Sequence, residues 1–91
     1  MSVPNKIRFG NATMGGGTRT VLTTNTAKFS RQIEIRAQAA NSGPVYLGDY
    51  SVLTTTGYEL PAGATVKLII DAGTSLYFAG PAGAIVSWIA T

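Results

Sequence analysis

The chain has 91 residues, of which 45% are hydrophobic and only 12% charged, with a formal net charge of +3. It contains no cysteine and no histidine. That excludes disulfides, thiolate or histidine-ligated metal sites, and Ser-His or Cys-His nucleophilic devices. A chain this short buries roughly 60–65% of its unfolded surface. Globular domains average about 25% charged residues, so a charge content this low predicts that part of the surface is covered by other protein, through self-association.

The charge is unevenly placed. Lys6, Arg8, Arg19, Lys28, Arg31 and Arg36 face only Glu34 in the first forty residues, whereas Lys67 opposes Asp49, Glu59 and Asp71 in the remainder. A basic leading half and a mildly acidic trailing half suit head-to-tail contact between copies, an acidic partner, or simple solvation. The longest apolar runs, such as Val66 to Ile70, fall far short of the roughly 20 residues a spanning helix needs, which argues against a membrane. The start, Met-Ser-Val-Pro-Asn-Lys, has no apolar segment behind a basic one, so no secretory signal is expected.

In chain order, residues 1–18 carry Pro4, Gly10 and the run Gly15-Gly16-Gly17 with little periodicity, and read as a flexible N-terminal arm ahead of a single β-sandwich domain over 19–91. Lys6, Ile7, Arg8 and Phe9 alternate in polarity, as a short docking strand would. The triple glycine lacks the Lys-Ser/Thr of a phosphate loop. Thr18 to Thr24 has β propensity with weak alternation, and Asn25-Thr26 marks a turn. Phe29 to Gln38 shows strict period two. Phe29, Arg31, Ile33, Ile35 and Ala37 share one face, and Ser30, Gln32, Glu34, Arg36 and Gln38 the other.

Asn41 to Pro44 breaks the chain before a short strand, Val45-Tyr46-Leu47. Gly48-Asp49-Tyr50 bends it, Ser51 to Thr55 is expected to resume an extended run, and Thr56-Gly57 turns again before Tyr58-Glu59-Leu60. Pro61-Ala62-Gly63 reads as a type II turn leading into Thr65 to Ile70, with Val66, Leu68 and Ile70 on one face. Ser75 to Ala90 reads as a β-hairpin around Gly80-Pro81-Ala82-Gly83, apolar at nearly every position on both arms. Seven or eight short strands punctuated by glycine and proline, with no helical period, predict an all-β sandwich of jelly-roll-like or Greek-key type.

No constellation for catalysis emerges. Asp49, Glu59 and Asp71 sit beside turn residues, where acids satisfy backbone amides, and no Asp-x-Asp spacing supports calcium. No cofactor or metal is expected. Six basic residues interleaved with Phe9 and Phe29 fall short of the dense stripe that nucleic acid requires. Tyr46, Tyr50, Tyr58 and Trp88 offer area plus one hydrogen bond. That suits either a core edge or an interface.

Residues 43–91 carry Gly43-Pro-Val-Tyr-Leu-Gly-Asp49, Gly57-Tyr-Glu-Leu-Pro-Ala-Gly63 and Leu76-Tyr-Phe-Ala-Gly-Pro-Ala-Gly-Ala-Ile-Val86. This half of the chain resembles small virion structural proteins of tailed bacteriophages. The resemblance implies a small β-sandwich without catalytic residues that decorates or cements the head, or sits at neck or tail joints. On that basis the expected role is a non-enzymatic capsid decoration protein on the virion surface. It would associate with itself, as a trimer, and with the major capsid or another virion protein. The interface is expected to draw on Lys6, Ile7, Arg8, Phe9, Tyr46, Tyr50, Tyr58 and Trp88. The alternative is a tail-fibre or receptor-binding module that recognises a host surface glycan or protein.

Overall fold

Eight strands carry the alternating pattern in the computed structural model, which describes residues 8–15 and 19–90. They are β1 (Arg8–Thr13), β2 (Thr20–Thr24), β3 (Arg31–Ala37), β4 (Val45–Gly48), β5 (Tyr58–Leu60), β6 (Thr65–Ile70), β7 (Ser75–Ala79) and β8 (Ile85–Ala90). They form two four-stranded sheets, ordered β1-β8-β3-β6 (sheet A) and β2-β7-β4-β5 (sheet B), and every pairing is antiparallel.

The pairings nest. β4 pairs with β5, β3 with β6, β2 with β7 and β1 with β8, so the chain is one antiparallel ribbon closed at β4–β5. Rolling that ribbon brings β8 against β3 and β7 against β4. This is the eight-stranded jelly roll of two Greek keys, one of the two topologies expected. Every connection except β4–β5 therefore passes from one sheet to the other.

The core lies between the inner faces. Its largest fully buried side chains are Ile33, Ile35, Val45, Phe78 and Val86, which come from the four central strands β3, β4, β7 and β8. Burial of each such side chain contributes about 1.5–3 kcal/mol. The period-two reading of β3 holds here, with Ile33, Ile35 and Ala37 buried and Gln32, Glu34 and Arg36 exposed.

Three of the corners share one construction. Pro61-Ala62-Gly63-Ala64, Asp71-Ala72-Gly73-Thr74 and Pro81-Ala82-Gly83-Ala84 each close with a hydrogen bond from the fourth N–H to the first carbonyl, at 2.9, 3.1 and 3.1 Å. In each the glycine takes a positive φ, +83°, +78° and +85°, as the third residue of a type II turn requires. The glycine N–H and the carbonyl of the next residue then bond to one residue of the facing strand or its end. That residue is Ala37, Asn25 and Met14 in turn, with distances of 2.7–3.0 Å. Two residues thus oppose one, a bulge with glycine in its left-handed position. It swings each strand across to the opposite sheet.

Four expectations are corrected. First, Ser75 to Ala90 is not a hairpin, because β7 belongs to sheet B and β8 to sheet A. Residues 80–84 carry the chain between them, and the turn's free groups bond to Met14 rather than across a hairpin. Each of these strands is central in its sheet, hydrogen-bonded on both edges to strands other than its supposed hairpin mate.

Second, Phe29 is not on the buried face of β3; it is 62% exposed and precedes the strand. The cause is Asn25, whose amide donates to the Phe29 carbonyl at 3.0 Å while its Oδ1 accepts from the Ala27 N–H at 3.0 Å. That bends 27–29 away from the sheet.

Third, Ser51 to Thr55 forms no strand. Local bonds turn it on itself, with Asp49 Oδ1 accepting from the Ser51 N–H and Oγ–H and the Leu53 carbonyl accepting from the N–H groups of Thr56 and Gly57.

Fourth, residues 8–13 of the stretch read as an arm are β1, paired along its length with β8. Residues 1–7 and 16–18, with Lys6, Ile7, Gly16 and Gly17, lie outside the described residues.

Candidate assembly surface

The two outer faces differ. On sheet B, the loop 49–57 folds back over the sheet and seats Val52 against it. Val52 is buried, yet it lies outside the main core cluster. Glycine is required beneath it. A Cβ on Gly48 would come within 2.9 Å of Val52 Cγ2, and one on Gly57 within 2.6 Å of both Val52 Cγ2 and Tyr46 Cβ. Arg19 holds the loop from the other side, its Nε donating to the Val52 carbonyl at 3.2 Å.

Sheet A has no such cover among the described residues. Across its outer face the register aligns Phe9, Ile89, Glu34 and Lys67 in one row. Ile69 lies one row away, opposite Gln32, and Arg36 lies beyond Glu34 on the other side. Phe9 is 77% exposed, Ile69 73% and Ile89 41%. Single exposed apolar side chains are ordinary, but here Phe9 adjoins Ile89 and Ile69 lies beyond Gln32 and Glu34 on the same face, a mixed apolar and charged surface of the kind that binds protein.

The structure separates the residues singled out from sequence. Phe9 lies on the bare face of sheet A. Arg8 lies between the sheet ends, lining a cavity of about 20 Å³ with Arg31, Trp88 and Thr23, room for about one water. Trp88 points inward against the core, and Gly10, its partner in the β1–β8 register, leaves room for the indole: a Cβ there would touch the ring at 3.3 Å. Tyr46 is partly buried under the sheet B loop, while Tyr50 and Tyr58 are exposed at the two ends of the β4–β5 connection. The tyrosines and Phe9 therefore belong to opposite sheets.

Sequence reasoning missed Ile69 and Ile89. The signal was present in the alternation of Thr65 to Ile70, which sets Ile69 beside Lys67 on the outer side. For Ile89 it was masked by a run apolar at almost every position.

Two of the acidic residues, Asp49 and Asp71, serve the turns. Asp49 is fully exposed, and its carboxyl is held below its usual range first by the Ser51 hydroxyl and then by the Ser51 N–H. Asp71 accepts from Ser30 Oγ at 3.1 Å. Among the described residues no three acidic side chains gather where they could hold a metal ion.

No protein-family model matches the chain, and no curated protein matches it in sequence. A solved structure does share its architecture. It comes from Bacillus endospore appendages, described as a family of disulfide-linked pili, and aligns with a TM-score of 0.59 at 16% identity over 93% of this chain and 83% of that one. At that identity the likeness is one of fold.

Proposed function

We propose that this chain is a non-enzymatic structural subunit that works by adhesion, burying the outer face of sheet A against further copies of itself or another protein of the same particle. The observation that carries the reading is the contrast between the two outer faces. One is partly covered by its own loop, with Val21 exposed beside it, and the other has no cover among the described residues, with Phe9, Ile69 and Ile89 exposed. The lack of histidine and cysteine and the purely structural bonding of Asp49 and Asp71 agree with it. So does the description of the similar appendage protein as a pilus component. That protein's disulfide linkage has no counterpart in a chain without cysteine, so cohesion here uses no disulfide.

The particle we favour is a bacteriophage virion, with the protein as a head decoration or cement subunit, following the resemblance of residues 43–91. Trimers seated where capsid subunits meet would give each copy weak contacts that add through multivalency. Sedimentation at micromolar concentration should show species larger than the 9.4 kDa chain; monomer throughout overturns the self-association. Mass spectrometry and cryo-electron microscopy of intact particles should then find many copies on the head. Absence from the head overturns the decoration role alone. The receptor-binding reading is favoured by the exposed Tyr50 and Tyr58, and glycan binding lost on replacing both with alanine would select it.

A further inference from the structure

We infer that β6 is a strand-pairing edge whose partner is β6 of a second copy, related by a two-fold axis through Ile69. Sheets expose unpaired backbone groups along their outermost strands, and proteins protect such edges with bulges, proline, charges or short length. Two of the four edges here are protected by form, and a third is weakened. β2 carries a bulge between Val21 and Thr23, β5 has three residues, and β1 has Gly10 at its centre, which weakens a strand. β6 is six residues long, Thr-Val-Lys-Leu-Ile-Ile, with neither bulge, glycine nor proline, and its one guarding charge is Lys67. Among the described residues it pairs only with β3.

The sequence along that edge fits its own antiparallel copy. Directly opposed residues in an antiparallel pair lie on the same face. On the outer face Lys67 and Ile69 of β6 are followed by Asp71, the first residue past the strand, whose Oδ1 accepts from Ser30; all three are exposed. When Ile69 faces its own mate, Lys67 of each copy faces Asp71 of the other, giving two reciprocal ion pairs around an apolar contact. On the inner side Leu68 meets Ile70 in the same register. Centring one residue back on Leu68 would set Lys67 against Ile69 and Thr65 against Asp71 and lose both ion pairs, and centring two residues back on Lys67 would set two lysines face to face, which opposes pairing. Charge complementarity thus selects a second copy as the occupant and also fixes the register. The contact is isologous. It joins two four-stranded sheets A into one of eight strands and leaves Phe9 and Ile89 free for the face contact.

This inference rests on the self-association reading, but it fails separately. The test is an Ile69→Cys variant, whose thiol is the only one in the chain. Under mild oxidation it should form a disulfide dimer at least tenfold faster than Lys67→Cys or the control Glu59→Cys on β5. In parallel, Lys67→Asp and Asp71→Lys should each weaken dimerisation about tenfold, and the double exchange should restore it. Assembly without faster cross-linking at residue 69, or a double exchange that fails to restore pairing, overturns the β6 contact and leaves self-association standing. A chain that stays monomeric overturns both.

Discussion

The side-chain amide of Asn25 donates to the carbonyl of Ile70 at 2.9 Å, joining the end of β2 to the end of β6 across 45 residues. Asn25 is the buried polar side chain among the described residues, and it has no unmet valence. Its Nδ2 serves Ile70 and Phe29, its Oδ1 serves Ala27, and its backbone serves Gly73 and Thr74. Asn25→Asp keeps the shape but turns a carboxylate oxygen toward two carbonyls. We expect a loss of at least about 3 kcal/mol, against about 1–3 kcal/mol for Asn25→Ala. Urea unfolding of the two variants checks the order.

The three bulged corners should cost the same when broken. Gly73→Ala and Gly83→Ala meet no atom within 4 Å but hold φ near +80°, so each should lose about 1 kcal/mol from backbone strain alone, additively because the corners are far apart. Gly57→Ala has the opposite character. Its φ is not positive, yet its Cβ would collide with Tyr46 and Val52, so the loop must lift. Limited proteolysis within 49–57 should accelerate in that variant and not in the corner variants.

Ile33→Asp or Ile35→Asp should abolish folding. Each places an unpaired charge at a fully buried site, costing several kcal/mol against a total stability of about 5–15 kcal/mol. Glu34→Gln, on the exposed face between them, should leave the midpoint within about 0.5 kcal/mol of the parent. Circular dichroism during denaturant titration distinguishes the two classes.

Asp49 gives a pH dependence of known sign. Its carboxyl is held below the usual range by the Ser51 hydroxyl and N–H. The stabilisation is therefore present above the unfolded-state value and is lost as pH falls through the folded one. Asp49→Asn and Ser51→Ala should both flatten the acid limb of the stability curve. Thermal melts from pH 7 to pH 2 are the measurement, and in the parent the effect should appear only at the acid end.

What the sequence made legible was the alternation of β3 and β6 and the fold class. Those depend on side-chain period and turn residues alone. What it concealed was the partner of each strand. Ser75 to Ala90 looked like a hairpin because a short Gly-Pro-Ala-Gly link between two apolar runs has the same local chemistry whether the chain returns to its own sheet or crosses to the other. The deciding hydrogen bonds go to Met14, some seventy residues away. The ten-residue recurrence of Pro61-Ala-Gly, Asp71-Ala-Gly and Pro81-Ala-Gly was visible in the text, but its meaning lay in the facing residues Ala37, Asn25 and Met14. The bare face of sheet A was half legible. Phe9 announced itself by alternating with charges, whereas Ile89 did not.

The nesting of the ribbon also fixes an order of events during synthesis. β4 and β5, the only consecutive strands that pair, can meet as soon as residue 60 has emerged, and each later strand finds its mate further back in the chain. β8 is the last of the eight strands to emerge, yet it sits between β1 and β3. Until then β1 has no strand to pair with among the described residues, and β3 has one open edge. Sheet A can therefore close only once β8 has emerged, in a step that closes the longest loop between paired strands. In a crowded cell, that interval is when one nascent chain is most exposed to the β8 of another.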